Sequence, residues 1–228
     1  MDLPWRVMWS AGWAAAWPPE VRECWWTIAS GTRYFAGARR AYDRVNAGCK
    51  MCEAAYGAGG ALDTLDHMTV CPTYAPLWAS IVVVLGLVGT RIPATIVLRF
   101  VVYGAARAAT TLIRGAALEA VRCARNRSLS AAANGGLVYV DPFTVVRSFR
   151  DELRRHMQLD YCVATGVHQQ PPTPRVGSNL HMPLRPLSRG AFAAKWHGVL
   201  QLRRAGRVRH YSYQTTFEHA LDLPDDDV

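Results

Sequence analysis

The fold depends on the stretch Cys49-Lys-Met-Cys52, followed after fourteen residues by His67-Met-Thr-Val-Cys71. Three thiolates and one imidazole are ligands that tetrahedral Zn²⁺ takes in proteins. Two Cys separated by two residues fit a tight turn, and His67 and Cys71 lie four residues apart, on one face of a helical turn. Because the four side chains fill the tetrahedron, we predict one structural Zn²⁺ rather than a catalytic one.

The helical turn of His67 has its own start signal. Asp63, Thr64 and Asp66 can accept hydrogen bonds from the first free N–H groups, and acids suit this end of the helix dipole. Structural zinc contributes about 10–16 kcal/mol of apparent binding energy, so folding of residues 49–71 should depend on metal. Three thiolates and Zn²⁺ carry a net charge of −1, and phosphate must therefore be bound by arginines elsewhere.

The other cysteines favour a reducing compartment over a disulfide framework. Six Cys in 228 residues are few for a disulfide scaffold, and three of them fall in the metal motif. Cys24, Cys123 and Cys162 stand alone in helical stretches and are expected to behave as small apolar residues.

Composition places the chain among globular proteins. Half of the residues are apolar and 19% are charged. The longest apolar run, 81–88, is far below the ~20 residues of a membrane span, so we expect no membrane association. The apolar stretch 7–17 contains bulky Trp and lacks a positive leader, which disfavours a signal peptide.

The net charge of +9 comes almost entirely from Arg, since only Lys50 and Lys195 are Lys. Arg suits phosphate recognition, although a GC-rich gene also raises Arg and Ala together. Residues 1–78 are neutral by formal count, whereas 79–165 carry +6 and 166–228 carry +3. The excess therefore lies downstream of the metal motif.

Hydrophobic spacing predicts a mostly helical protein organised around the Cys-Cys-His-Cys zinc knuckle, with an irregular C-terminal extension. Residues 94–129 contain no Pro and form one long helix or two helices hinged near Gly104 or Gly115. Asp141-Pro142 begins another helix, predicted to bury Phe143, after a short strand-like run at 137–140. The predicted regions are a Trp-striped helix (1–19), a zinc-knuckle domain with flanking helices (20–78), a basic helical region (79–165), and a Pro-rich linker and C-terminal extension with an acidic tail (166–228).

Arginines on two predicted helices are the candidate phosphate contacts. On the helix spanning 94–129, four of them project within about 80° of one another, which favours an anionic partner over random placement. A solvated face is the ordinary alternative. The predicted contacts are Arg33, Arg39, Arg40, Arg44, Arg99, Arg107, Arg114 and Arg125.

Tryptophans repeat every four residues near the N-terminus and form one helical stripe: Trp5, Trp9, Trp13 and Trp17. Such a stripe either covers the core of the chain itself, which is the more common case, or docks onto a protein partner.

The sequence resembles one protein family over about residues 20–130. The ordered elements are Trp25-Trp26, Cys49-x2-Cys52, Asp63-Thr64-Leu65-Asp66-His67, Cys71-Pro72 and Leu77-Trp78, with Cys123-Ala-Arg-Asn-Arg downstream. They resemble the zinc-binding domain found C-terminal to the polymerase in LINE-type (non-LTR) retrotransposon reverse transcriptases. That family more often has four residues between the His and the last Cys, where this chain has three.

The expected function is binding rather than catalysis. The Tyr-x-Asp-Asp turn of a polymerase, the Asp and Lys constellation of a nuclease and the His-x-Glu of a zinc deaminase are absent from the sequence. The resemblance implies an accessory region that binds RNA or target DNA, within a larger ribonucleoprotein or beside a polymerase. The alternatives are a zinc-stabilised structural subunit that docks through its Trp stripe, and an inactive fragment of a decayed element.

Overall fold

A computed structural model describes residues 17–30, 47–57, 61–104, 108–165, 187–205 and 208–213. Helices dominate these residues, which confirms the predicted mostly helical class. In chain order the elements are α1 (Pro19–Ser30), α2 (Lys50–Tyr56), α3 (Leu65–Val70), α4 (Ala75–Leu87), a 3₁₀ turn (Ala94–Ile96), α5 (Val97–Tyr103), α6 (Ala108–Ala133), α7 (Pro142–Thr165), α8 (Arg189–Trp196), β1 (Leu200–Ala205) and β2 (Val208–Tyr213).

Helix α1 begins at Pro19, where the missing N–H costs no helical hydrogen bond. Its buried face includes Cys24, Trp25 and Ile28, and the Trp25 indole donates to the Val102 carbonyl at 2.7 Å. This bond attaches α1 to the end of α5. A buried Trp indole N–H needs a hydrogen-bond acceptor, and the Val102 carbonyl supplies it. The same bond fixes the orientation of the Trp25 ring.

The stretch 94–129 is divided at Gly104, one of the two predicted hinge positions. Helix α5 ends there with the Gly104 N–H donating to the Phe100 carbonyl at 2.7 Å. The other position, Gly115, lies inside the continuous helix α6. A Cβ at Gly115 would lie 2.7 Å from the Trp17 ring, so this glycine permits close packing of a side chain rather than a hinge.

Helix α7 packs along α6, and the connection between them is only 134–141. Asp141 caps α7 as predicted, because its carboxylate accepts from the Thr144 N–H at 2.9 Å. The prediction that Phe143 is buried is wrong, since it is 39% exposed at the first turn of the helix. Residues 137–140 form no paired strand, and only Val140 of the four is buried.

Residues 187–205 and 208–213 of the C-terminal extension contain a helix and two strands, where an irregular extension was predicted. Helix α8 packs on α7, where the Lys195 ammonium and the Trp196 indole both donate to Asp160 at 2.6 and 2.8 Å. An antiparallel hairpin of β1 and β2 follows. Sequence periodicity is weak in these short elements, and α8 is held by tertiary contacts of Phe192 and Trp196, both buried.

The predicted Trp stripe reaches the described residues only at Trp17, since Trp5, Trp9 and Trp13 lie outside them. Trp17 is 2% exposed and its indole donates to the Thr111 carbonyl at 2.9 Å. For Trp17 the more common case therefore holds, because its ring lies in the core of the chain itself, and the alternative of docking onto a partner is wrong for this residue.

Two further observations complete the fold. No disulfide links the six cysteines, all of which lie in described residues. Among the helices that the structure describes, none has both the length and the apolar character needed to cross a membrane.

Candidate metal centre

The four predicted ligands converge. The sulfur atoms of Cys49, Cys52 and Cys71 and a ring nitrogen of His67 all lie within 4.8 Å of one another. The Cys52 sulfur is 3.7 Å from the Cys71 sulfur and 3.3 Å from the His67 Nε2. A tetrahedral Zn²⁺ separates two sulfurs by roughly 3.8 Å and a sulfur from a nitrogen by roughly 3.5 Å. The residues therefore lie close enough to hold a metal ion, and the donor set is compatible with zinc.

A short backbone bridge brings the two halves of the motif together. The Cys49 N–H donates to the Ala61 carbonyl at 2.9 Å, and the Asp63 N–H donates to the Ala47 carbonyl at 3.0 Å. This antiparallel pairing is centred on Gly48 and Leu62. Cys49 then precedes α2, and Cys52 lies in its first turn. The pairing holds residues 61–63 beside the Cys-x2-Cys turn.

Helix α3 presents the other two ligands. Thr64 is its N-cap, and the Thr64 hydroxyl accepts from the His67 N–H at 3.1 Å. Of the three residues predicted to start this helix, Thr64 makes the capping bond. The Asp63 carboxylate instead accepts hydrogen bonds from Arg125. Cys71 ends α3, and its carbonyl accepts from the Tyr74 and Ala75 N–H groups at 2.9 and 3.0 Å. These bonds start α4 directly after the last ligand.

The centre is also attached to α4 through Trp78. The Trp78 indole donates to the Met68 carbonyl, in the middle of α3, at 2.9 Å. Both Met68 and Trp78 are buried, as are the three ligand cysteines. The string Leu77-Trp78, singled out in the sequence, thus supports the helix that carries His67. This arrangement limits the freedom of the ligands before any metal binds.

The three cysteine thiols of the cluster shift one another's pKa values. A hydrogen bond to Cys71 and burial both raise the pKa of the Cys49 thiol. The same bond lowers the pKa of Cys71, against the effect of burial. Burial raises the pKa of Cys52, as does the neighbouring Cys49. Three thiols packed this closely cannot all ionise without a cation among them, which is the chemistry that Zn²⁺ supplies.

A buried ion pair joins the centre to the helical core. Arg125 on α6 donates to both carboxylate oxygens of Asp63, at 3.0 and 2.5 Å. Both side chains are about 8% exposed. The prediction that Arg125 contacts phosphate is therefore wrong, because its guanidinium is buried against Asp63. The two residues are 62 positions apart, and no sequence signal identifies the pair.

Arg114 is also internal. It is 1% exposed and donates to the carbonyls of Val101, Val102 and Gly104 at 2.8, 3.0 and 2.6 Å. Its guanidinium carbon lies 5.2 Å from the centre of the Trp17 ring. These carbonyls belong to the end of α5, where the last carbonyls of a helix need partners from outside it, and Val102 also accepts from the Trp25 indole. The predicted phosphate contact at Arg114 is wrong, since this side chain caps α5 from within the core.

The remaining predicted contacts divide into two groups. Arg99 is exposed on α5, as a phosphate contact requires. The others lie outside the described residues: Arg33, Arg39, Arg40, Arg44 and Arg107. Of the aligned arginines of 94–129, Arg114 and Arg125 lie on α6, and both are on its buried side.

Comparison with known proteins gives no relative for this chain. No family model, no curated protein and no solved structure matches it.

Proposed function

We propose that this protein is a zinc-dependent, non-catalytic accessory protein that binds nucleic acid. The observation that carries the proposal is the convergence of Cys49, Cys52, His67 and Cys71 within 4.8 Å. Four side-chain donors fill the tetrahedral positions of Zn²⁺ and leave none for substrate. One bound Zn²⁺ therefore has a structural role, and it fixes the helices that carry the ligands.

Bound zinc stabilises the helical core as well as the Cys-Cys-His-Cys knuckle. Asp63 lies in the loop before His67 and pairs with Arg125 on α6. Loss of the metal would release this loop, and Asp63 would then no longer be held beside Arg125. Among described residues, this cluster is the one group of His, Cys, Asp or Glu with the spacing of a metal site. We expect unfolding of the helical core and release of zinc to be thermodynamically coupled.

Nucleic-acid binding is supported by charge and by the family resemblance. The chain has a net charge of +9, and Arg supplies nearly all of the excess. The ordered Cys, His, Cys-Pro and Leu-Trp elements resemble the accessory region that follows the polymerase in LINE-type reverse transcriptases. With Arg114 and Arg125 committed to the core, the proposed contacts are Arg33, Arg39, Arg40, Arg44, Arg99 and Arg107.

Metal analysis tests whether the protein binds one zinc through the four predicted ligands. Purified protein should contain one zinc per chain, and Cys52→Ser and Cys71→Ser should each lose it. Cys162→Ser is the matched control, because Cys162 is half-buried on α7, outside the cluster. Zinc retained at full stoichiometry in either ligand variant would contradict the site.

A salt titration tests whether the protein binds nucleic acid. Fluorescence anisotropy with labelled RNA and DNA should show an affinity that falls steeply as salt rises, because bound arginines release counterions from the phosphates. Absence of salt-sensitive affinity for any RNA or DNA would contradict nucleic-acid binding, even if zinc is present.

The competing function is a structural subunit that docks onto a protein partner through the Trp stripe. The burial of Trp17 in the core of this chain weighs against that role for one of the four tryptophans. Replacement of Trp9 and Trp13 separates the two functions. Docking predicts loss of assembly with nucleic-acid affinity unchanged.

A further inference from the structure

An exposed apolar patch lies where α6 is connected to α7. In the described part of the chain eleven large apolar side chains are exposed, and five of them fall within residues 129–143. Helix α6 ends at Ala133 and α7 begins at Pro142, so all five lie at the same end of this helix pair. Their exposed fractions range from 39% to 56%. This turn patch consists of Leu129, Leu137, Val138, Tyr139 and Phe143.

The turn patch is large for a surface that faces water. A large apolar or aromatic side chain has about 150–250 Å² of surface, so five of them at these exposures present roughly 400–500 Å². Monomeric proteins rarely expose contiguous apolar patches of more than a few hundred Å², and larger ones mark binding surfaces. Two such patches in contact would bury roughly 1,000 Å² in total, which is near the lower limit for a specific interface between proteins.

The middle of the turn patch resembles the edge of a sheet. Residues 137–140, Leu-Val-Tyr-Val, are neither helical nor bent, and β-branched and aromatic residues favour strands. Leu137 and Tyr139 are more exposed than Val138 and Val140, which is the two-residue period of an extended chain. Within the described residues no hydrogen bond reaches the backbone of this run. Lys and Pro, which proteins place on exposed edges to prevent pairing, are absent from its sequence.

The charge around the turn patch favours a second copy of this chain over a charged partner. Between Ser128 and Val146 the one charged residue is Asp141. Its carboxylate already accepts from the Thr144 N–H at 2.9 Å. Two copies can therefore approach with little like-charge repulsion, whereas an acidic or basic partner would find almost nothing to pair with. A two-fold axis makes two copies of one strand antiparallel, and such an assembly closes at a dimer.

We propose that the protein forms a two-fold symmetric dimer in which residues 137–140 of the two copies pair as antiparallel strands. With the axis at Val138, Leu137 of each copy lies opposite Tyr139 of the other. Cross-strand pairs of this kind are the unit of sheet stabilisation. The other two residues of the turn patch flank the paired strands and add to the buried apolar area. This assembly goes beyond the proposed function and does not depend on it.

Sedimentation velocity of the full-length, zinc-loaded and nuclease-treated protein tests the dimer. Between about 1 and 100 µM we expect a reversible monomer–dimer equilibrium, because interfaces near the lower size limit are weak. The patch variant is Leu137→Lys with Tyr139→Lys, which brings positive charges together between the copies. The control is Val83→Lys with Ile96→Lys, because these apolar side chains lie outside the patch and are 42% and 43% exposed.

The patch variant should dimerise at least about tenfold more weakly, because like charges opposed across an interface are costly. Its zinc content should stay at the wild-type level. The control should keep the wild-type dissociation constant within about threefold. A wild-type protein that is monomeric throughout this concentration range would overturn the proposal, as would equal losses in the two variants. Assemblies that grow beyond the dimer would overturn the two-fold pairing.

Amide hydrogen exchange of the wild-type protein checks the strand pairing without any substitution. The N–H groups of residues 137–140 should exchange quickly in the monomer, and pairing in the dimer should protect alternate ones. We expect exchange of this run to slow by about tenfold from the monomeric to the dimeric concentration range. The same rate at both concentrations would overturn the pairing.

Salt separates this apolar interface from association through charge. At about 1 M salt exposed charges are screened, but burial of apolar surface is not weakened. We therefore expect the dimer to persist at this salt concentration. Dissociation into monomers would overturn the assignment of the interface to the turn patch.

Discussion

Arg125 and Asp63, 62 positions apart, form a buried bidentate ion pair that connects helix α6 to the loop in front of the metal ligand His67. The pair makes the metal centre part of the helical core. Because both charges are buried, each depends on the other for compensation. Loss of either partner is therefore more damaging than loss of an exposed ion pair.

Replacement of Arg125 by Met should destabilise the protein by about 3–5 kcal/mol, because Asp63 is left charged and buried. It should also weaken zinc binding about tenfold to hundredfold, since Asp63 positions the loop that carries the ligands. Chemical denaturation and competition with a chromophoric chelator measure the two effects.

Arg122→Met is the control for Arg125. Arg122 lies on the same helix and pairs with Glu119 at 2.6 Å, but both side chains are about a quarter exposed. Removal of this pair should cost no more than about 1 kcal/mol and leave zinc affinity unchanged. Similar losses in the Arg122 and Arg125 variants would contradict the special role of the buried pair.

Arg114 and Arg99 should have opposite phenotypes. Arg114→Met removes the guanidinium donor from the carbonyls of Val101, Val102 and Gly104, of which Val102 keeps the Trp25 indole, and should lower the free energy of unfolding by about 3 kcal/mol or more. Arg99→Gln, on the exposed side of α5, should change stability by less than about 0.5 kcal/mol.

Binding experiments on the same two variants complete the comparison. Arg99→Gln should make the salt slope for nucleic acid shallower by about one, as expected for one lost phosphate contact. Folded Arg114→Met protein should keep the wild-type slope. A changed slope in the Arg114 variant would mean that its guanidinium reaches nucleic acid after all.

Two glycines in helices should respond oppositely to Ala. At Gly115 the new methyl group would lie 2.7 Å from the Trp17 ring, and we expect a loss of about 1–3 kcal/mol. At Gly86, in α4, no atom lies within 4 Å of the new methyl group, and the better helix propensity of Ala should add about 0.5–1 kcal/mol. Thermal unfolding of both variants measures the difference. Stabilisation by Gly115→Ala would contradict the packing of Trp17 on α6.

Glu152 should make stability depend on acid pH. Burial raises its pKa, but hydrogen bonds from His156 and Arg155 outweigh burial and lower the pKa to about 2. A depressed folded-state pKa stabilises the protein above the unfolded-state value, and this contribution is lost as pH falls through the folded-state value. Glu152→Gln should therefore be less stable than wild type at pH 7, by about 1–3 kcal/mol.

The pH dependence of that difference provides the check. Between the ordinary Glu pKa of 4.5 and the lowered value near 2, the gap between wild type and Glu152→Gln should shrink. Zinc release at low pH affects both proteins and does not create the gap. A gap that stays constant down to pH 2 would show that the destabilisation comes from packing rather than from the charge of Glu152.

The convergence of Cys49, Cys52, His67 and Cys71 could be predicted from the sequence alone. Spacing predicts that two Cys share a turn and that His67 and Cys71 share a helical face, and both are local properties of the chain. The Asp141 cap was predictable for the same reason, because it depends on residues within a few positions of one another. The sequence did not distinguish a break at Gly104 from one at Gly115 or from an unbroken helix, and the packing of Trp17 on Gly115 is a tertiary contact.

Only the tertiary structure decided where the arginines point. Helical periodicity places Arg114 and Arg125 on one side of α6, but it does not say whether that side faces solvent. Ala lies all around this helix, and both Ala and Arg occur on its buried side. Partners such as Asp63 and the end of α5 come from distant segments, so their contacts have no local signature. The same Arg excess that indicates an anionic ligand therefore also supplies the internal bonds that hold the metal centre and α5 in place.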